Sequence, residues 1–145
     1  MMKFSASALL GLACLLSLSG CQWGGSGSDL VINSAKLSVL DAKVGTIALD
    51  MVIENKGIGN AGKEFALTGN WKEQPSSSVS FRLSVPGGLE AGKQKHLTEQ
   101  LDLPALIGKS GTYEFSVDKC PQAFCNNQIE ESNEDNNTLT VPFTL

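Results

Sequence analysis

From about Asp29 onward, apolar and polar residues alternate along the chain with a period of two. Ile47, Leu49, Met51 and Ile53 share one phase, and Ala48, Asp50, Val52 and Glu54 share the other. The same pattern returns at Val79, Phe81, Leu83 and Val85, at Tyr113, Phe115 and Val117, and at Leu139, Val141, Phe143 and Leu145. Successive side chains of an extended chain point to opposite faces. Such runs therefore predict strands with one face on a core and one in water. Leu97, Leu101 and Leu103 alternate likewise, although Glu99 breaks the apolar row. Phe65, Leu67 and Trp71 predict a further strand, interrupted at Gly69. The first strand changes phase between Leu30 and Ile32 on one side and Leu37 and Val39 on the other, which predicts a bulge or a switch of sheet near Ser34.

Turn chemistry separates these runs. Asn55 to Asn60, Pro86-Gly87-Gly88 and Gly108 to Gly111 supply residues that tolerate positive φ or preset a turn. Pro142 falls on the outward phase of the last strand, where its missing N–H suits a sheet edge. No long stretch after the leader has a 3.6-residue period. About seven short antiparallel strands with regular turns predict an all-β sandwich.

The first 20 residues read differently. Lys3 precedes a short apolar run from Ala8 to Leu18, too short to span a bilayer, and small residues follow. That is the layout of a cleavable signal peptide. Leu18-Ser19-Gly20-Cys21 resembles the lipobox of bacterial lipoproteins. The resemblance implies lipidation of the Cys21 thiol, cleavage before it and acylation of the freed amine, with palmitate-like chains. Two or three chains make an effectively permanent membrane anchor, since each buried methylene contributes about 0.8 kcal/mol. Gln22, where an aspartate tends to retain such proteins in the inner membrane, implies the outer membrane, on its periplasmic or its surface side. Residues 21–28 then form the lipidated cysteine and a Gly/Ser-rich flexible tether, and residues 29–145 form the domain.

Of the four cysteines, Cys14 leaves with the leader and Cys21 takes the lipid. Cys120 and Cys125 remain, and in an oxidising compartment a local disulfide is the expected outcome. It closes a short loop and adds about 2 kcal/mol. A zinc site would need further His or Cys ligands, and His96 is the only histidine.

Charge and motifs exclude several functions. The net charge is −4, from 11 Lys plus Arg against 15 Asp plus Glu, and losing Lys3 leaves 10 against 15, or −5. Arg82 is the only arginine and no basic cluster exists, which argues against a nucleic-acid partner. Gly-x-Ser-x-Gly, Walker and His-Glu-x-x-His motifs are all missing, and the alternation puts His96 on an outward face. The expectation is a protein that is not an enzyme and carries no cofactor and no metal.

Asp29-Leu30-Val31, Ile53 to Gly57, Gly88 to Gly92, Gly111-Thr112-Tyr113 and Glu131 to Asn137, taken in this order, resemble the segments of the CARDB family, the cell-adhesion-related domains of bacteria. The resemblance implies an immunoglobulin-like sandwich acting as an extracytoplasmic binding or adhesion module for a protein or glycan partner. A structural spacer or envelope-assembly accessory is the alternative. The Cys120–Cys125 stretch departs from the family pattern and lengthens the loop before the closing motif.

That motif, with Glu131, Asn133, Glu134, Asp135, Asn136 and Asn137, has two readings. Asn and Asp bond their own backbone in turns, so the residues can shape the approach to the last strand. Carboxylates and amide carbonyls also suit Ca²⁺, with Asp118 as a further ligand, but the spacing is not that of an EF-hand. The turn-building reading is the one expected here.

Overall fold

The computed structural model describes residues 27–73, 79–118 and 129–145. The expected signal segment, Cys21 and the expected Cys120–Cys125 disulfide lie outside the described residues. The described residues form seven strands: β1 (Leu30–Asp41), β2 (Thr46–Asn55), β3 (Phe65–Trp71), β4 (Phe81–Val85), β5 (Gln94–Asp102), β6 (Ser110–Val117) and β7 (Thr138–Thr144). The one described helical element is a 3₁₀ turn at Pro104–Leu106. β1, β2 and β5 make a three-stranded sheet in the order β1-β2-β5. The other four strands make a sheet in the order β4-β3-β6-β7, and every pairing is antiparallel. The protein is an all-β sandwich of immunoglobulin-like layout.

The alternating rows meet between the sheets. Ile47, Leu49, Met51 and Ile53 from β2 face Phe65, Leu67 and Trp71 from β3 and Tyr113, Phe115 and Val117 from β6, all fully or nearly fully buried. Trp71 meets Tyr113 edge-on at 5.7 Å between ring centroids, and Tyr113 stacks on Phe115 at 5.5 Å. Burial pushes the Tyr113 phenol far above its usual range. Its O–H donates to the Val79 carbonyl, so the ring's polar end is satisfied inside the core.

The phase change in β1 is a bulge. Its register against β2 shifts between Ile32 and Ser34, leaving Asn33 as the extra residue. Gly69 does not interrupt β3, which runs unbroken through it. A Cβ there would lie 2.3 Å from the Phe81 ring, so the glycine makes room for an aromatic side chain from β4. β3 also departs from simple alternation. Ala66 and Thr68, on its outward phase, are buried along with their inward neighbours. β3 lies between β4 and β6, and small side chains flanked by two strands are shielded from water. Val79 is buried as expected but lies before β4 rather than in it, and Leu103 likewise lies past the end of β5.

The sheet edges are obstructed in different ways. Pro142 sits in edge strand β7 and cannot donate to an added strand. Glu99, which broke the apolar row of β5, points along the inward phase of an edge and stays exposed, and Lys95, on the same phase beyond Leu97, is half-buried. β1 carries its bulge, and β4 has only five residues. Short, bulged, proline-bearing or inward-charged edges disfavour pairing with another chain.

Candidate functional site

The two ends of the sandwich hold the distinctive chemistry. At the first end the chain enters. Gly27 O accepts from Gly59 N–H (2.9 Å) and Asp29 O from Lys56 N–H (2.8 Å). Ser28, at the end of the expected tether, is fully buried. It pairs with Glu131 in a parallel bridge, its Oγ donates to Glu130 O (3.0 Å), and its carbonyl accepts from both the N–H (2.8 Å) and the Oγ (3.0 Å) of Ser132. Gly57 permits this entry. A Cβ there would stand 2.0 Å from the Gly27 carbonyl oxygen, so any other residue would push the entering chain away.

Asn55, the last residue of β2, ties the entry to two other loops. It is fully buried, and its Oδ1 accepts from Asp29 N–H (3.0 Å) and Gly57 N–H (3.1 Å). Its Nδ2 donates to Gly59 O (2.8 Å) and Leu89 O (2.9 Å). Its alternation phase places it inward, and the four bonds are what make a buried amide tolerable there.

The motif before β7 completes this end. Glu131 is buried; its Oε2 accepts from Leu30 N–H (2.6 Å) and its Oε1 from Asn137 Nδ2 (2.9 Å). Asn137 also donates to Val117 O (3.3 Å), and its own carbonyl accepts from Val117 N–H (2.9 Å). Asn136 donates to Asp29 Oδ1 (2.8 Å). Asn133 accepts from Asp135 N–H (3.1 Å), a local turn bond, and Glu134 accepts from Glu131 N–H (3.3 Å). Asp118, at the end of β6 with φ 51°, is buried and accepts from Ile129 N–H (2.7 Å). The structure thus brings Asp118, Glu131, Glu134 and Asn137 together, while Asn133 and Asp135 stay at the exposed rim. The buried Oδ1 atoms of Asn136 and Asn137 meet no partner among the described residues. Burial is the chief reason the Glu131 carboxyl is pushed up to about 7, with Glu134 and Asp118 adding repulsion. Among the described residues no group of three or more His, Cys, Asp or Glu side chains is arranged to hold a metal.

The opposite end is built from backbone bonds and exposed apolar side chains. Leu103 N–H donates to Gly45 O (2.9 Å), and Gly108 N–H donates to Leu145 O (2.8 Å), joining the β1–β2 turn, the 3₁₀ turn and the C-terminal residue. On this tip Leu40 is 57% exposed, Val44 56% and Ile107 44%, with Val39 beside them at 43%. Sequence reading missed this patch, because Val39 belongs to an alternating row and Leu40 and Val44 flank a turn. His96 points outward from β5, as its phase predicts, and its Nε2 lies 2.5 Å from Asp50 Oδ1 on the open face of the three-stranded sheet.

No family model matches the chain, and no curated protein does. Among solved structures it is similar to β-glucosidase 3B from Thermotoga neapolitana in complex with glucose, at 12% identity and a TM-score of 0.45, over 81% of this chain and 16% of that one. It is also similar to the GH3 β-glucosidase of Bifidobacterium adolescentis, at 12% identity and a TM-score of 0.44, over 79% of this chain and 17% of that one. A third is the β-glucosidase of Kluyveromyces marxianus, at 18% identity and a TM-score of 0.39, over 81% of this chain and 14% of that one. The chain spans about one-sixth of the length of the first of these enzymes.

Proposed function

We propose that this chain is a lipoprotein of the bacterial cell envelope whose sandwich is a non-catalytic binding module, held at the outer membrane by acylated Cys21 and engaging a protein partner with its apolar tip. The observation that carries the reading is the polarity of the domain. The chain enters at the Asn55–Glu131 end, where Ile58 is a single exposed apolar side chain among the described residues, while Leu40, Val44 and Ile107 are exposed together at the other. β1 runs between the two ends, and its 12 residues at ~3.3 Å each set them ~35–40 Å apart. A tether on Cys21 then leaves the tip facing away from the lipid surface. Clustered exposed apolar residues mark interaction sites more often than isolated ones do. The obstructed edges argue against recognition by strand addition. Among the described residues Trp71 and Tyr113 are buried and Phe81 is half-buried, so the tip offers a sugar ring no aromatic platform. That favours a protein over a glycan.

Two measurements test this reading. Cys21→Ser is expected to leave an unprocessed or soluble form, and a mature, membrane-bound Cys21→Ser protein would refute the anchor. A photo-crosslinking side chain at position 44 is expected to give a discrete protein adduct in cells, lost with Leu40→Asp. The same probe at position 100, on the outer face of β5, is expected to give none. Equal labelling at both positions, or none at either, would leave the spacer role as the better account.

A further inference from the structure

Ile58, in the loop between β2 and β3, is the most exposed large apolar side chain among the described residues, at 95%. The loop is not free to fold it away. Lys56 N–H donates to Asp29 O (2.8 Å), Gly59 N–H to Gly27 O (2.9 Å) and Gly57 N–H to Asn55 Oδ1 (3.1 Å), while Gly59 O accepts from Asn55 Nδ2 (2.8 Å). Backbone groups on both sides of Ile58 are thus bonded inward, and its side chain projects. A loop tip approaches an acyl layer at low cost when its peptide groups are already paired. A lone exposed apolar residue is ordinary on a protein surface; the place of this one is not. A Cβ on Gly27 would stand 3.2 Å from Ile58 Cγ1, so the side chain lies where the chain leaves the domain toward Cys21. The six residue steps from position 21 to position 27 reach at most about 20 Å when fully extended. As a Gly/Ser-rich coil they average about 13 Å.

We propose that Ile58 is a second contact with the lipid surface that holds Cys21, and that it makes the sandwich lean onto its β2–β3 loop side. The inference rests on the anchored reading of Cys21 given above. One isoleucine is too small to recruit a protein to a membrane. Once the chain is acylated the contact is intramolecular, and the short tether keeps the effective concentration of lipid at Ile58 high. The contact therefore sets orientation rather than affinity. Charge selects the same side. The bridge between Ala61 and Leu89 joins the loops at residues 56–64 and 89–93, where exposed Lys56, Lys63 and Lys93 outnumber Glu64 and Glu90. On the other side of the entering chain, the segment that Ser28 bonds carries Glu130, Glu134 and Asp135. Anionic headgroups attract the first side and repel the second.

Nuclear magnetic resonance of the acylated protein tests this, with isotope labels in its amides and isoleucine methyls. The protein is held in nanodiscs of phosphatidylethanolamine and phosphatidylglycerol that carry a spin-labelled lipid. One spectrum then reads Ile58 at the entry end and Ile107 at the far tip, both exposed. The Ile58 methyl is expected to lose most of its signal to the spin label, and Ile107 to keep its own. Ile58→Asp removes only an exposed side chain, so it is expected to fold and to restore part of the signal of the Gly59 and Gly62 amides. The mass of the same sample reports acyl chains on Cys21 separately. Acylated protein with no loss at Ile58, or with equal loss at Ile58 and Ile107, would overturn the lipid contact and leave the anchor standing. Amide signals unchanged by Ile58→Asp would overturn it as well. A chain without acyl groups would remove both the anchor and the contact.

Discussion

At the entry end, Asn55, Asp118, Glu131 and Asn137 are polar and buried, with Ile58 a lone exposed apolar residue among those described; at the far end, Leu40, Val44 and Ile107 are apolar and exposed together. Each end inverts the usual rule that apolar residues go inside, and the two inversions have different consequences. A buried polar group must be bonded or it costs free energy, so the entry end is a place where side chains hold loops in register. An exposed apolar group costs little in the fold and gains from being covered, so the far end is where a partner would be felt. The contrast separates residues that the fold needs from residues that it leaves over.

Substitution can break this contrast. The largest effect is expected at Asn55. Asn55→Ala removes four hydrogen bonds and strands Asp29 N–H, Gly57 N–H, Gly59 O and Leu89 O, which should cost about 3–4 kcal/mol at about 1 kcal/mol per bond. Chemical denaturation would register it as a large fall in midpoint. A loss under about 1 kcal/mol would mean that water replaces the amide easily and that the entry end is not locked.

Asn137→Ala is expected to cost about 2 kcal/mol, for its bonds to Val117 O and Glu131 Oε1, and Asn136→Ala about half as much, for its single bond to Asp29. Both losses should be equal with calcium or with a chelator. A melting temperature of the wild type that rises saturably with calcium, and no longer does so in Glu131→Gln with Glu134→Gln, would convert this end from a structural hub to a cation site.

The smallest effect is expected at the far end. Leu40→Asp with Val44→Asp should change stability by no more than about 0.5 kcal/mol, as surface substitutions usually do. A loss of several kcal/mol would show the tip to be part of the core and would remove the contrast between the ends.

How much of this was legible beforehand depends on the range of the forces involved. The rows Ile47 to Ile53 and Tyr113 to Val117 became strands because period-two alternation is a local signal that burial reinforces. The phase slip in β1 was equally local, and the bulge falls at Asn33. Pro142 marked an edge through its own missing N–H. The Asn133 bond to Asp135, two residues away, belongs to the same class. The roles of Asn55 and Glu131 were not legible. Asn55 reads as a turn residue, yet its partners Asp29 and Leu89 lie 26 and 34 residues away. Glu131 bonds Leu30 across 101 residues. Gly69 read as an interruption because the aromatic ring that fills its space comes from another strand. Only the assembled sandwich shows which polar residue of a turn faces inward.

The parallel pairing of Ser28 with Glu131 also fixes how the domain would bear a mechanical load. A pull applied at residue 27 does not reach β1 first. It meets the bonds from Ser28 to Glu130 and Ser132, together with the Gly59 and Lys56 bonds to the entering chain. Those bonds lie on segments leading into β7 and out of β2, which belong to opposite sheets. Tension at the entry is thus divided between the two layers before it can unzip the edge strand, and several bonds must yield together rather than one after another.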